Sequence, residues 1–489
     1  MSAAPRWHQP LGHALVLAGT AIVFIITART GTVFLDDAFI TFTYAKNLAN
    51  GNGFVYNAPP ATFGTTTPLW TLVLTVAAKF AGTAAIPTAA LWLSGLCWAG
   101  IAWVLFLARR LLQLSAPAAG LMALLLCTAT QVNLGMEQAL FQCLLMLLLV
   151  TTLAGRWAGA GVFAGLLFLT RGEGALAAFL AGVYALYMGR REAVPLRPAL
   201  RLCAGFAVPV LPWLAYAALL FGTILPHTLG AKTAQLQLAG YESFTDALIR
   251  ALATEWPNEA SAILRLVHFV WPFLLLGLGA LAYRRSPLLG LLAWTVLYSA
   301  AYAALRVADF FWYETPVYWT WLVCLAAGMT AAIRWASGLR RRAPRLLATG
   351  YLALIVVVIV GVRAGFALAT AGERPDMHAE IYVPAATWLR EHAAPGERVA
   401  LAEVGYLGFY TELPIIDQFG LVTPAAQRFL GGENLRAFLQ AFQPNYYLAA
   451  QASGGRPETG ASAVFAELGF REVAQFSGEH RMAILYHRE

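Results

Sequence analysis

Two adjacent carboxylates, Asp36 and Asp37, directly follow the apolar run 13–29. They open a segment in which Phe39, Phe42, Ala45 and Leu48 recur at three- to four-residue spacing. That spacing predicts an amphipathic helix lying on a membrane surface. An acid at its head has two readings. It caps the helix N-terminus, or it sits in a partly dry cleft and accepts a proton from an attacking hydroxyl. Further ionisable groups punctuate the apolar runs: Glu137 in Gly135-Met136-Glu137, Arg171 and Glu173 around Gly172, and His227 and Lys232 after Pro226. Arg171 and Glu173 either pair with each other or leave the planar guanidinium to hold a phosphate. Lys232 beside His227 makes a second candidate anion site, and Glu137 sits where a very short loop meets the apolar bundle. Trp312 and Tyr313 lie in an aromatic stretch, Phe310 to Tyr313, that reads as an interfacial belt or as a wall for a ligand.

The elements that position these groups are membrane helices. The chain has 489 residues, 59% hydrophobic and only 12% charged, against about 25% charged in a soluble domain. Apolar runs fall at 13–29, 68–84, 88–107, 117–133, 138–154, 157–170, 173–189, 200–220, 264–283, 287–305, 316–333 and 346–369. The run from Pro68 to Phe80 is short and holds Lys79, so it reads as a helix lying at the interface. About eleven crossings remain. Arg109, Arg110, Arg156, Arg190, Arg191, Arg284, Arg285, Arg334 and Arg340 to Arg342 then share one side with Arg6. The acids before residue 370, Glu192 excepted, fall on or near the other. This is the positive-inside pattern, and it puts the N-terminus in the cytoplasm. The net charge of +8 is thus an orientation signal rather than a nucleic-acid footprint. Cys97, Cys127, Cys143, Cys203 and Cys324 all lie in apolar runs and form no metal or disulfide pattern. After residue 369 the character changes: helix-like Tyr382–Glu391 and Leu435–Phe442 alternate with short apolar strands, including Tyr446–Ala449. That is a small α/β domain on the outer side.

No GxxxxGK[ST], GxGxxG, HExxH or GxSxG constellation occurs. An outward-facing enzyme has no nucleotide at hand, so its natural donor is carried in the membrane. The ordered set Asp36-Asp37-Ala38-Phe39-Ile40, Gly51-Asn52-Gly53-Phe54-Val55-Tyr56-Asn57, Pro68-Leu69-Trp70, Gly135-Met136-Glu137, Arg171-Gly172-Glu173-Gly174, Pro226-His227-Thr228, Lys232 and Trp312-Tyr313 resembles the GT-C fold glycosyltransferases. Within them it is most similar to the bacterial group related to mycobacterial terminal arabinofuranosyltransferases. The outer segment Ala402-Glu403-Val404-Gly405, with Ile416-Asp417 and Gly420-Leu421-Val422, shares the resemblance.

The resemblance implies an α-helical polytopic membrane protein. Residues 1–369 would form a GT-C-like catalytic domain, with interfacial helices in its first outer loop, and residues 370–489 an extracytoplasmic α/β domain. It implies inverting transfer of a sugar from a polyprenyl phosphate to a glycan, lipid or protein acceptor of the cell envelope, at a bacterial cytoplasmic membrane. Asp36 or Asp37 would be the base. Arg171, Lys232 and His227 would offset the donor phosphate, and Glu137, Glu173, Asn57, Trp312 and Tyr313 would hold or support sugar and acceptor. No metal or cofactor is expected beyond the lipid-linked donor. The third loop has Arg-Gly-Glu where Arg-Pro-Glu is common, and the fourth has Pro-His-Thr where Pro-Asn-Thr is common. The competing reading is a glycolipid flippase, for which repeated halves and midplane charges would be the signature.

Overall fold

The protein is described from a computed structural model. It describes residues 8–31, 35–57, 61–128, 135–226, 228, 242–253, 267–369, 371, 378–430, 434–452 and 459–489. Each apolar run named above carries a helix within its described residues: α1 (His8–Thr30), α3 (Pro68–Ala81), α4 (Ile86–Leu107), α5 (Ala116–Cys127), α6 (Gln138–Leu153), α7 (Trp157–Thr170), α8 (Gly174–Arg191), α9 (Arg197–Phe221), α11 (Val267–Tyr283), α12 (Leu289–Leu305), α13 (Thr315–Ser337) and α14 (Arg342–Ala369). Between them lie α2 (Asp36–Ala49) and α10 (Phe244–Ala253). Among the described residues five segments, Gln9–Thr30, Thr83–Leu107, Arg197–Phe221, Thr315–Ser337 and Arg342–Ala369, are long and apolar enough to cross a membrane. Six shorter apolar helices accompany them. The chain is an α-helical polytopic membrane protein with a small C-terminal sheet domain.

The chain forms two compact units. One comprises residues 1–31, 91–211 and 243–373, and the other residues 32–90, 212–242 and 374–489.

The first unit is all helix. With lipid on one side there is little hydrophobic drive between apolar helices, so close packing through small residues decides which pairs meet. Gly12 on α1 and Gly120 on α5 face each other, Gly161 on α7 meets Gly205 on α9, and Gly277 on α11 meets Gly328 on α13. At each glycine an added Cβ would run into the partner helix backbone. Helix α14 is sparsely covered and exposes Tyr351, Leu354 and Val357, as suits a helix bathed in lipid.

The second unit is built around a five-stranded sheet of β1 (Val399–Leu401), β2 (Ile415–Asp417), β3 (Tyr446–Ala452), β4 (Phe470–Ser477) and β5 (Arg481–Arg488). Its order is β2-β1-β3-β5-β4. Strand β1 pairs in parallel with β2 and β3, while β3–β5 and β4–β5 are antiparallel. Helices α15 (Ala379–His392), α16 (Gly405–Tyr410), α17 (Leu435–Phe442) and α18 (Thr459–Glu467) accompany it. Phe438, Leu439, Phe465, Phe470 and Tyr486 close one core.

Helices α2 and α3 belong to this same unit. Helix α3 buries Trp70, Thr71, Leu74 and Ala78 while Leu72, Val76 and Phe80 stand exposed on its other side. An apolar face left open in this way suits a helix in contact with lipid. Helix α2 is buried on almost every side. Its Phe39–Phe42 stripe meets α16, with Phe39 stacked on Tyr406 at 4.0 Å and Phe42 edge-on to Phe409.

Candidate functional site

The head of α2 departs from the expected cap. Leu35 occupies the N-cap position of α2 and makes no side-chain cap. The Asp36 carboxylate instead reaches the start of α16, where it accepts the backbone N–H groups of Gly405 at 2.8 Å and Tyr406 at 2.9 Å. It thus caps a helix 369 residues away in sequence. At the other end of α16, Lys46 Nζ donates to the Phe409 carbonyl at 2.8 Å. Two residues ten positions apart on α2 therefore bracket α16, acid at its N-terminus and ammonium at its C-terminus, matching the signs of its dipole. Tyr56 adds a hydrogen bond from its hydroxyl to the Val404 carbonyl at 2.7 Å.

Asp36 is 7% exposed. Burial first, and the nearby Glu403 charge second, push its carboxyl up to about 7, against the two backbone N–H groups and the His378 charge. Glu403 accepts from Tyr382 Oη and Arg481 Nη1, each at 2.6 Å, and lies 3.7 Å from His378 Nε2. Burial works to raise Glu403, yet its bonds to His378 and Arg481 hold it at about 2. Asp36 therefore sits beside a carboxylate that stays ionised, with an imidazole raised above its ordinary value against its own burial by that same carboxylate. Asp37 is half-buried. Asn57 spends its amide on the backbone of Ile415, donating Nδ2–H at 2.8 Å and accepting the N–H at 2.9 Å. It pins its loop to β2.

Gly405 shows how closely α2 and α16 fit. A Cβ there would collide with the Asp36 carbonyl oxygen. Gly405→Ala is expected to destabilise the protein by about 1–3 kcal/mol, the usual cost of forcing a methyl into a packed interface. Thermal unfolding of the detergent-purified variant checks this, and an unchanged midpoint would show that α16 is not clamped as described.

The second cluster lies in the helical unit. Arg171, at the C-terminus of α7, donates to Glu137 at 2.6 Å and to Glu173 at 2.9 Å. Glu173 also accepts from the Tyr302 hydroxyl. Side-chain exposures are 14% for Arg171, 4% for Glu137 and 17% for Glu173. Burial holds Glu137 above the usual carboxylate range despite Arg171. Burial also works to raise Glu173, but Arg171 and the Tyr302 hydroxyl bring it below that range. Tyr313 lies 5.3 Å under the guanidinium, and its carbonyl accepts from Tyr298 Oη at 2.8 Å. Trp312 is also buried, and both rings join the aromatic wall with Phe310 and Tyr302. His227 and Lys232 lie outside the described residues.

Sequence reading had not assigned chemistry to His378, Tyr382 or Arg481. Glu403 and Gly405 had entered only through the family-like segment. Among the described residues one group brings three candidate metal ligands together, Glu380, Glu479 and His480. It is largely exposed, and Glu380 already accepts the Glu479 N–H at 2.9 Å.

Residues 374–486 match the model of a family described as a domain of unknown function, DUF8728. No curated protein matches the sequence. Among solved structures, the chain is similar to ArnT from Cupriavidus metallidurans in the apo state, with TM-score 0.62, 16% identity, and coverage of 96% of this chain and 97% of that one. The same protein bound to undecaprenyl phosphate gives TM-score 0.61 at 15% identity, covering 96% and 97%. The archaeal oligosaccharyltransferase AglB from Archaeoglobus fulgidus, in complex with an inhibitory peptide and a dolichol-phosphate, gives TM-score 0.61 at 12% identity, covering 98% of this chain and 74% of that one. Matches spanning nearly the whole chain define the architecture: the protein has the GT-C fold.

Proposed function

We propose that the protein is an integral membrane glycosyltransferase that moves a sugar from a polyprenyl-phosphate donor to a hydroxyl acceptor of the cell envelope, with inversion. It would work at the outer side of a bacterial cytoplasmic membrane. The observation that carries this reading is Asp36, a fixed, buried carboxyl poised near neutrality in a chain whose fold neighbours were solved with undecaprenyl phosphate and dolichol-phosphate.

An inverting transfer needs a base that deprotonates the acceptor as it attacks the anomeric carbon opposite the departing phosphate. A base works best when its pKa lies near the working pH. Asp36 meets that condition, and Gly405 and Tyr406 hold it still. Its two oxygens each accept one N–H, which leaves lone pairs for a substrate proton. What favours Asp37 instead is its greater exposure. Asp36 is taken as the base because environment, rather than exposure, sets proton affinity.

Arg171 stands against two carboxyls, so its cluster carries no surplus positive charge. That supports Glu137 and Glu173 as hydrogen-bonding partners for sugar hydroxyls, with Arg171 holding them. His227 and Lys232 remain the proposed partners of the donor phosphate.

The test is reconstitution of the pure protein in liposomes with a radiolabelled polyprenyl-phosphate pentose or hexose and an envelope-glycan acceptor. Label appearing in the acceptor is expected. Movement of the labelled lipid across the bilayer without transfer would replace this reading by a flippase.

A further inference from the structure

Arg363 sits on α14, six residues before its end, on a helix that otherwise shows apolar side chains to lipid. A cation at that depth is expensive and needs a partner. Among the described residues Arg363 has only neutral ones. Its Nε–H donates to Thr128 Oγ1 at 3.2 Å and its Nη2 to the Tyr318 hydroxyl, with the guanidinium 5.4 Å over the Tyr318 ring. Thr128 has already given its own hydrogen to the Leu125 carbonyl at 2.7 Å.

Arg171 shows the contrast, because it stands between two acids. Among the described residues no carboxylate lies within ion-pair distance of Arg363. A guanidinium has five N–H donors. Among the described residues two are spoken for, and three remain in the planar fork that suits a phosphate. Snorkelling would carry the head group off toward water. Here two other helices hold it: Thr128 closes α5 and Tyr318 lies in the first turn of α13. A second cation stands at the same end of the helices, where Arg29 Nη1 donates to the Leu368 carbonyl at 2.9 Å.

We propose that Arg363, oriented by Thr128 and Tyr318, seats the phosphate ester of a lipid beside α14. Two lipids offer that chemistry: the polyprenyl-phosphate donor and a bilayer phospholipid. The first identity rests on the transferase reading, whereas the seat itself does not.

The test measures lipid binding by the full-length protein using native mass spectrometry. Undecaprenyl phosphate and phosphatidylglycerol are the probes, and undecaprenol is the uncharged control. Arg363→Gln is expected to weaken phosphate-lipid binding at least tenfold and leave undecaprenol unchanged, while Arg363→Lys keeps part of the affinity. A loss confined to undecaprenyl phosphate assigns the seat to the donor. A loss that includes phosphatidylglycerol assigns it to bilayer headgroups.

A folded Arg363→Gln protein that binds both lipids as the native one does would overturn the seat. If that variant fails to fold, Tyr318→Phe is read the same way: a few-fold loss upholds the seat and unchanged binding overturns it. Lost lipid-phosphate binding in a protein that transfers no sugar would uphold the seat and reject the transferase. Unaltered binding by Arg363→Gln in a protein that transfers would do the reverse.

Discussion

Replacing Asp36 with asparagine is expected to slow sugar transfer by about 10²–10⁴-fold, the range a positioned general base supplies. Asparagine keeps one oxygen to accept from α16 but turns an amide toward the other backbone N–H. Some stability is lost with it, so the rate must be read on protein shown to be folded at the assay temperature. Asp37→Asn, which leaves the bracket around α16 intact, is expected to lose less than tenfold. The reverse ranking would move the base to Asp37, and full activity in both variants would remove the mechanism.

The native protein supplies an independent check through pH. Only ionised Asp36 accepts a proton, so the rate should rise with pH along an acid limb centred at about 7. Stability should run the opposite way. The carboxyl is raised in the fold from 3.8 to about 7, so the folded state prefers its protonated form. That contribution is fully present below about pH 4 and is lost as pH rises through 7. The form that works is thus the form that burial and the Glu403 charge disfavour in the fold, and both slopes should vanish in Asp36→Asn. Burial and the Glu403 charge raise the carboxyl, while the Tyr406 and Gly405 N–H groups and the His378 charge oppose the rise. A limb near the ordinary carboxylate value would mean that Asp36 is not the group titrating.

The helices were legible because lipid imposes one rule on sequence, a long apolar run, and each run carries a helix within its described residues. Helix α17 of the C-terminal domain was legible for a similar reason: Leu435–Phe442 carries its own periodicity. Strands β4 and β5 were not expected. Strand β4 is an edge strand exposed along most of its length, so little in Phe470–Ser477 alternates, and only pairing with β5 makes it a strand. The carboxylates divide in the same way. Their place after an apolar run marked Asp36 and Asp37 as chemical candidates. What Asp36 grips depends on Gly405 and Tyr406, and no local pattern reports a partner that far along the chain. The Arg171–Glu173 pair was one of two readings the tight turn offered, the other being a phosphate site, and the structure shows the pair. Glu137 as its third member, and Tyr302 as its fourth, came from packing.

Arg171→Met is expected to destabilise the protein by about 3–5 kcal/mol, because it strands two buried carboxylates without a counter-charge. Arg171→Lys should fall between, since one ammonium lacks the fork that reaches Glu137 and Glu173 together. Adding Glu137→Gln and Glu173→Gln to Arg171→Met should recover part of the loss, and unfolding measurements around that cycle isolate the coupling. The result also separates two roles for the arginine. If its main partner were the donor phosphate, Arg171→Met would weaken donor binding and leave the fold largely intact. The geometry gives both of its arms to acids at 2.6 and 2.9 Å, so unfolding should respond first. Any change in donor affinity should then track the stability lost. A variant that folds normally but no longer binds undecaprenyl phosphate would return Arg171 to the phosphate and leave the acids as its bystanders.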